Sequence, residues 1–333
     1  MTVPAAFALL FAAAMVFGFL DGFHNSANVV ATVISSRAMR PRQALSVAAV
    51  AEFAGPFLFG TAVAKTFGAD LVDPQAISVA VIMAAMLAAI TWKMITWYFG
   101  LPSSSSHSLF GGLIGAVIVG AGVEALIPSG LRKIVLALLL SPPLGLVGGY
   151  LVMQLTLLVT SRATPGINTF FKRGQWFTSI GLALTHGSNN AQKVMGILGL
   201  GLLSSGLSEE VSSPLWITAS AAGALALGTF FGGSRVMRTI GGRFYKIRPV
   251  HGFTAQATTS TIILGATLLG GPVSTTQVVS STIVGVGAAE RLGKVRWGVF
   301  QDIAVAWLVT IPATGLLAAA FFFPMKWLME WLA

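Results

Sequence analysis

The chain has 333 residues, 55% of them hydrophobic and only 9% charged, with a mean hydropathy of +0.83; soluble domains carry about 25% charged residues, so that class is excluded. Lys and Arg outnumber Asp and Glu by 20 to 10, a formal charge of +10, and in so apolar a chain this basic excess is assigned to cytoplasmic loops rather than to a nucleic-acid surface. There is no cysteine, which excludes disulfides and thiol chemistry.

Apolar runs of about 20 residues, long enough to cross roughly 30 Å of hydrocarbon as helices, recur from end to end. Runs of that length exclude the short alternating strands of a membrane barrel. The first, over 4–36, opens on AAFALLFAAAMVFGFL without a basic leader and runs into a polar cluster, so it is a retained helix rather than a signal peptide. Gly and Pro punctuation with charge clusters places the others at 44–66, 77–98, 103–122, 131–160, 177–203, 214–234, 250–270, 272–289 and 298–323. Arg37, Arg40 and Arg42 fill the first loop, Asp70 and Asp73 the second, and Arg162, Lys172 and Arg173 the middle connection. Glu209 and Glu210 follow the sixth segment; Arg235, Arg238, Arg243, Lys246 and Arg248 make the most basic loop, and Arg291, Lys294 and Arg296 the last. With every basic loop in the cytoplasm, both termini lie outside.

Five segments then start outside and five inside. This predicts an all-α polytopic membrane protein of two inverted-topology repeats, 1–160 and 177–333, joined by a basic cytoplasmic linker over 161–176, with broken or re-entrant helices at the midplane. Three short matches support the repeat. Gly22-Phe23-His24-Asn25 resembles Gly187-Ser188-Asn189-Asn190; Val63 to Gly68 matches Val236 to Gly241 as V-x-[KR]-T-x-G; and Pro102 to His107 matches Pro272 to Gln277 as P-x-S-[ST]-[ST]-[HQ]. They fall in one order at offsets of 165, 173 and 170 residues.

Inverted repeats point to alternating access, with substrate held near the midplane by elements of both halves. Proline is tolerated in the first turn of a helix, so Pro102 and Pro272 are expected to begin helices inside the membrane. Free N–H groups, the positive dipole end and the hydroxyls of Ser103, Ser104, Ser105, Ser106, Ser274, Thr275 and Thr276 would then form two halves of a cradle for a tetrahedral oxyanion. The alternative is a pair of plain helix caps or packing serines; their matching repeat positions favour the site. The Asn-rich stretches DGFHNSANVVATVISS and THGSNNAQKVMGILG add Asn25, Asn28, Asn189, Asn190 and Gln192, whose amides can complete an anion shell or ligate a hard cation.

GFHNSANVVATVISSRAM, THGSNNAQKVMGI, PSSSSHSLFGGLIG, PVSTTQVVSSTIVGVG and AWLVTIPATGLLAA together resemble the PiT family of inorganic phosphate transporters, over nearly the whole chain. The resemblance implies secondary active transport of phosphate coupled to protons or sodium, in the inner (cytoplasmic) membrane, with no further cofactor and with a homo-oligomeric state. Some relatives are sulfate permeases. Three positions depart from the pattern. The family's two motifs usually end in aspartates thought to bind the coupling cation, where this chain has Asn25 and Asn190, and its second hydroxyl motif ends in His, where Gln277 stands. Asp21 precedes Asn25 by one helical turn, so the first carboxylate is displaced rather than lost. A carboxylate about 4 Å from the anion would repel it by roughly 4 kcal/mol at an effective dielectric of 20, so its removal eases bare-anion binding and keeps sulfate open as a substrate.

Other charges at membrane depth are Glu52, Lys93, Lys193 and Asp302. Such residues are functional hypotheses by default. Asp21 and Glu52 are candidates for the coupling ion, with Asn25 and Asn190; Lys193 either attracts the anion or snorkels to an interface. His24, His107 and His186 are proton carriers or neutral structural histidines, and Trp92, Trp97, Trp297 and Trp307 are interface anchors or packing. No metal-binding pattern and no nucleophile elbow appears, which disfavours an intramembrane enzyme; an anion channel remains the nearer rival.

Overall fold

The computed structural model describes residues 4–232 and 244–332. The second half of the V-x-[KR]-T-x-G match, with Arg235, Arg238 and Arg243, lies outside the described residues. Every long element described is a helix: α1 (Ala5–Ser35), α2 (Pro41–Leu58), α3 (Ala62–Lys65), α4 (Val79–Tyr98), α5 (Ser105–Gly120), α6 (Pro128–Val159), α7 (Ile167–Ser204), α8 (Leu215–Phe231), α9 (Pro249–Leu268), α10 (Thr275–Glu290) and α11 (Trp297–Leu332). α1, α4, α6 and α11 are each long and apolar enough to cross a membrane, and α2 with the α3 region makes a fifth, bent candidate. α7 and α9 are long but interrupted by buried amides and hydroxyls, whose cost is met inside the protein rather than by lipid. The chain is a multi-pass membrane protein.

Four features differ from expectation, the simplest being α11, which runs to Leu332 rather than ending at 323. The segment at 44–66 is not one rod: the chain bends by 73° between α2 and the α3 region. Gly60 takes a φ of +74° at that corner, a conformation that favours glycine. α7 starts at Ile167 rather than at 177, because its first turns are amphipathic: Phe171 and Gln175 are buried while Lys172 and Arg173 face out. The 161–176 stretch is therefore a short turn followed by the start of a helix. Finally, α1 and α7 run unbroken through their polar clusters. Non-helical backbone sits instead at 99–104 and 269–274, just ahead of α5 and α10.

The helices repeat in length. α1, α2, α4, α5 and α6 have 31, 18, 20, 16 and 32 residues; α7, α8, α9, α10 and α11 have 38, 17, 20, 16 and 36. Packing crosses between the halves: α8 lies on α1, α2 on α7, α6 on α10 and α11 on α5. Glycine permits two of these crossings. A Cβ at Gly22 would lie 1.9 Å from the Leu225 carbonyl oxygen, and one at Gly187 would lie 2.3 Å from that of Glu52.

Large apolar side chains such as Leu139, Leu155, Leu158, Leu308 and Leu316 are exposed on α6 and α11, as lipid-facing helices require. Phe17, Phe67, Met86 and Leu113 fill a shared core. Trp307 is buried and Trp92 donates to Thr310 at 3.1 Å, so these two pack rather than anchor. Where α9 starts and α10 ends, Arg248, Lys294 and His251 converge on Glu290. The strongly polar residues of the motifs face inward, and they define the site.

Candidate functional site

Asp21, Asn25 and Asn28 follow one another on α1 at spacings of four and three, which lines them up on one face. His186, Asn190 and Lys193 repeat those spacings on α7, each 165 positions after its counterpart. All six side chains are at most 1% exposed. Two polar stripes on the first helix of each half therefore point into the protein.

The starts of α5 and α10 lie between them. Serine, not proline, caps each helix: Ser104 Oγ accepts from the His107 N–H at 3.2 Å and Ser274 Oγ from the Gln277 N–H at 3.3 Å. A serine hydroxyl can satisfy an orphan N–H of the first turn, which a proline ring cannot, so the helices begin at Ser105 and Thr275 and the prolines stay in the extended approach. The two starts are bonded to each other. Ser106 Oγ donates to the Val273 carbonyl at 2.8 Å, and Thr276 Oγ1 to the Ser103 carbonyl at 3.3 Å, the same contact 170 positions on.

The asparagines complete the cluster. Asn28 Nδ2 donates to Thr276 Oγ1 at 2.9 Å, and Asn25 Oδ1 lies 3.4 Å from the same hydroxyl. Asn190 bridges both starts, accepting from Ser105 Oγ and donating to Thr275 Oγ1, each at 3.4 Å. Ser103 Oγ is 2.9 Å from Thr96 Oγ1, and Ser104 Oγ is 2.7 Å from His107 Nδ1. The hydroxyls and amides named from the sequence thus meet in one buried cluster, with two qualifications. Asn189 Nδ2 donates to Thr267 and to the Gly271 carbonyl, at 2.9 and 3.2 Å, and holds the loop ahead of α10; His24 Nε2 makes the equivalent contact with the Leu101 carbonyl at 3.1 Å. Gln192 Oε1 accepts from the N–H groups of Val63 and Ala64 at 2.8 and 3.4 Å, capping α3. Both amides brace loops rather than face the cluster.

The charged residues fall into two pairs and one lysine on neutral acceptors. Asp21 Oδ1 accepts from Asn25 Nδ2 at 2.6 Å and pairs with Lys93 Nζ of α4 at 2.7 Å. Glu52 of α2 instead meets His186 Nδ1 at 2.8 Å and accepts from Thr229 Oγ1 at 2.5 Å. Lys193 Nζ donates to Asn190 Oδ1 at 2.6 Å with its side chain fully buried, so it does not snorkel. Of the two readings of Lys193 in the sequence, attraction of the anion or snorkelling, its buried position is compatible with the first alone; Lys93 is named there only as a charge at membrane depth, and Thr96 and Thr229 are not singled out. The spacing of three from Asn190 is a signal for Lys193; Thr96 and Thr229 are reached only through tertiary packing.

The arrangement offers a small anion hydroxyl and amide donors, two helix N-termini and a nearby ammonium, in surroundings that strengthen each electrostatic contact. The phosphate transporter family matches the chain over residues 21–165 and 159–318. A probable low-affinity inorganic phosphate transporter of Bacillus subtilis (strain 168) is 42% identical, over 95% of this chain and 96% of its own length. Another, of Rhizobium meliloti (strain 1021), is 41% identical over 94% and 95%. A solved structure described as the sodium-dependent phosphate transporter matches with a TM-score of 0.85 at 25% identity, covering 97% of this chain and 99% of that one. Sequence and fold agree along almost the full length, and the chain belongs to the phosphate transporter family.

Proposed function

We propose that the protein is a secondary active carrier of inorganic phosphate in the cytoplasmic membrane, working by alternating access between two inverted halves and driven by a proton or sodium gradient. The observation that carries this reading is the reciprocal joining of two serine-capped helix starts, Ser106 to the Val273 carbonyl and Thr276 to the Ser103 carbonyl. The recurrence of these contacts at one offset, with the matching order of helix lengths, supports inverted copies over 1–160 and 177–333. Two opposed helix N-termini with hydroxyls suit an oxyanion that must be bound and then released, since they donate hydrogen bonds without gripping it by a covalent or metal bond. Ser103 to Ser106, Ser274 to Thr276, Asn25, Asn28 and Asn190 form the anion shell in this reading, with Asn189 and Gln192 supporting it from behind.

Sulfate is the second substrate reading, favoured by the amides at positions 25 and 190, because an amide there can donate to the anion, whereas a carboxylate would call for the proton that phosphate carries and sulfate lacks. Uptake of labelled phosphate into proteoliposomes, with sulfate and arsenate as competitors and ionophores as perturbants, tests both. Saturable phosphate uptake blocked by arsenate and collapsed by the appropriate ionophore is expected. Inhibition by sulfate alone would move the assignment to sulfate, and large single-channel currents would replace the carrier with a channel.

A further inference from the structure

Lys193 is fully buried, and its ammonium touches only neutral acceptors: the Asn190 side-chain oxygen at 2.6 Å and the Val273 carbonyl at 3.5 Å. Among the described residues no carboxylate is paired with it; Asp21 is engaged by Lys93, and Glu52 by His186 and Thr229. A buried cation whose acidic neighbour, Asp21, is already paired directly with a second lysine is costly unless an anion completes it. Its contacts say where that anion belongs. Asn190 is the amide that bridges Ser105 and Thr275, and Val273 accepts from Ser106, so the ammonium stands at the edge of the hydroxyl cluster.

On the α1 side the situation is complementary. Asp21 is the carboxylate joined to the cluster, through Asn25, and the Lys93 ammonium already sits 2.7 Å from it. Lys93 is 1% exposed and reaches in from α4, held over the Phe17 ring at 5.6 Å from its centroid. A buried sodium ion is favoured by oxygen ligands that carry compensating negative charge. Here the Asp21 charge is matched, and Asn25 and Asn190 contribute none. Asp21, Lys93 and Lys193 together carry a formal charge of +1 before any ion arrives.

We propose that Lys93 and Lys193 are tethered cations that stand in for a co-transported sodium: Lys93 cancels Asp21, Lys193 is the counter-charge of the bound oxyanion, and phosphate loads without sodium. The proposal rests on the phosphate-carrier reading above.

Phosphate counterflow separates the two claims, because exchange against internal phosphate needs no driving gradient. The full-length protein in proteoliposomes is given labelled inorganic phosphate at one pH, with sodium, potassium or choline as the sole monovalent cation. Rates within about twofold of each other are expected; a fall of roughly tenfold without sodium, the scale of an ordinary coupling between two ligands, overturns the inference while leaving the carrier reading intact. No phosphate exchange in any medium overturns the carrier reading and this inference with it. Lys193→Gln is expected to raise the apparent phosphate KM by roughly tenfold in all three media, as loss of a charge-assisted hydrogen bond does, and an unchanged KM refutes its role. Lys193→Gln combined with Asn190→Asp removes the tethered charge and restores a carboxylate, and exchange by this variant is expected to become sodium-stimulated. Equal rates in choline would refute the substitution of ammonium for sodium. The cation-replacement arm uses the unmodified protein, so the inference stays falsifiable even if a variant fails to fold.

Discussion

His186 Nδ1 lies 2.8 Å from Glu52 Oε1, and both side chains are shut off from solvent. Glu52 also accepts from Thr229, so one carboxylate ties α2, α7 and α8 together. Glu52→Ala leaves buried partners unsatisfied and is expected to cost about 1–3 kcal/mol, read as a lower thermal midpoint in detergent. Glu52→Gln keeps the shape but removes the group that can take up a proton. Phosphate exchange by that variant is expected to persist while concentrative uptake under an imposed pH gradient is lost. A Gln variant that still accumulates phosphate under the gradient would remove Glu52 from the coupling path.

The capping serines have two roles that a double substitution separates. Ser104→Ala with Ser274→Ala removes one cap acceptor from each of α5 and α10, at about 1 kcal/mol apiece. That loss is small enough for the protein to elute as a folded species on size exclusion, and uptake is expected to vanish. Near-normal uptake would mean that these hydroxyls serve the helices and not the anion.

Close helix crossings make Gly22 and Gly187 intolerant of any side chain. Because the obstruction is a backbone carbonyl at 1.9 or 2.3 Å, the helices themselves must part. Gly22→Ala or Gly187→Ala is expected to destabilise by about 1–3 kcal/mol or more, seen in purified yield and thermal midpoint. Gly265→Ala is the control: nothing lies within 4 Å of a Cβ there, and α9 is expected to gain up to about 1 kcal/mol from the better helix former.

Gln192 tests whether an amide beside the motif binds substrate or holds the frame. Gln192→Ala takes the acceptor away from Val63 and Ala64 at the start of α3, and a loss of about 1–3 kcal/mol is expected with the phosphate KM of the surviving protein unchanged. A raised KM would return Gln192 to the anion shell.

Much of this architecture is legible in the sequence because apolar run length and repeat offsets are one-dimensional quantities. Nine of the ten expected segments each correspond to one helix and the other, 44–66, divides into α2 and α3, while the match between Pro102 to His107 and Pro272 to Gln277 points to the two helix starts that meet. What stays hidden depends on the third dimension. The charges at Lys172 and Arg173 suggest a loop, yet the same charges suit the outer face of a helix that continues into water. Lysine is the harder case, since its long stem reaches an interface as easily as an interior partner, and only packing decides that Lys93 meets Asp21. Asparagines within one motif also divide in use: Asn190 joins the cluster while Asn189, one residue earlier and about 100° around the helix, supports a loop.

The reciprocal contacts of Ser106 and Thr276 have a mechanical meaning. Each hydroxyl is bonded to the approach of the other helix start, so in the alternating-access reading proposed above the pair would act as two latches across a seam. Any rocking that widens one side of the seam unfastens at least one latch, and the freed hydroxyl and carbonyl then need a new partner at once. An arriving oxyanion can accept from the hydroxyl but offers the carbonyl nothing unless it brings a proton. In that reading protonated phosphate would satisfy both released groups, whereas a fully ionised anion of the same shape would satisfy one.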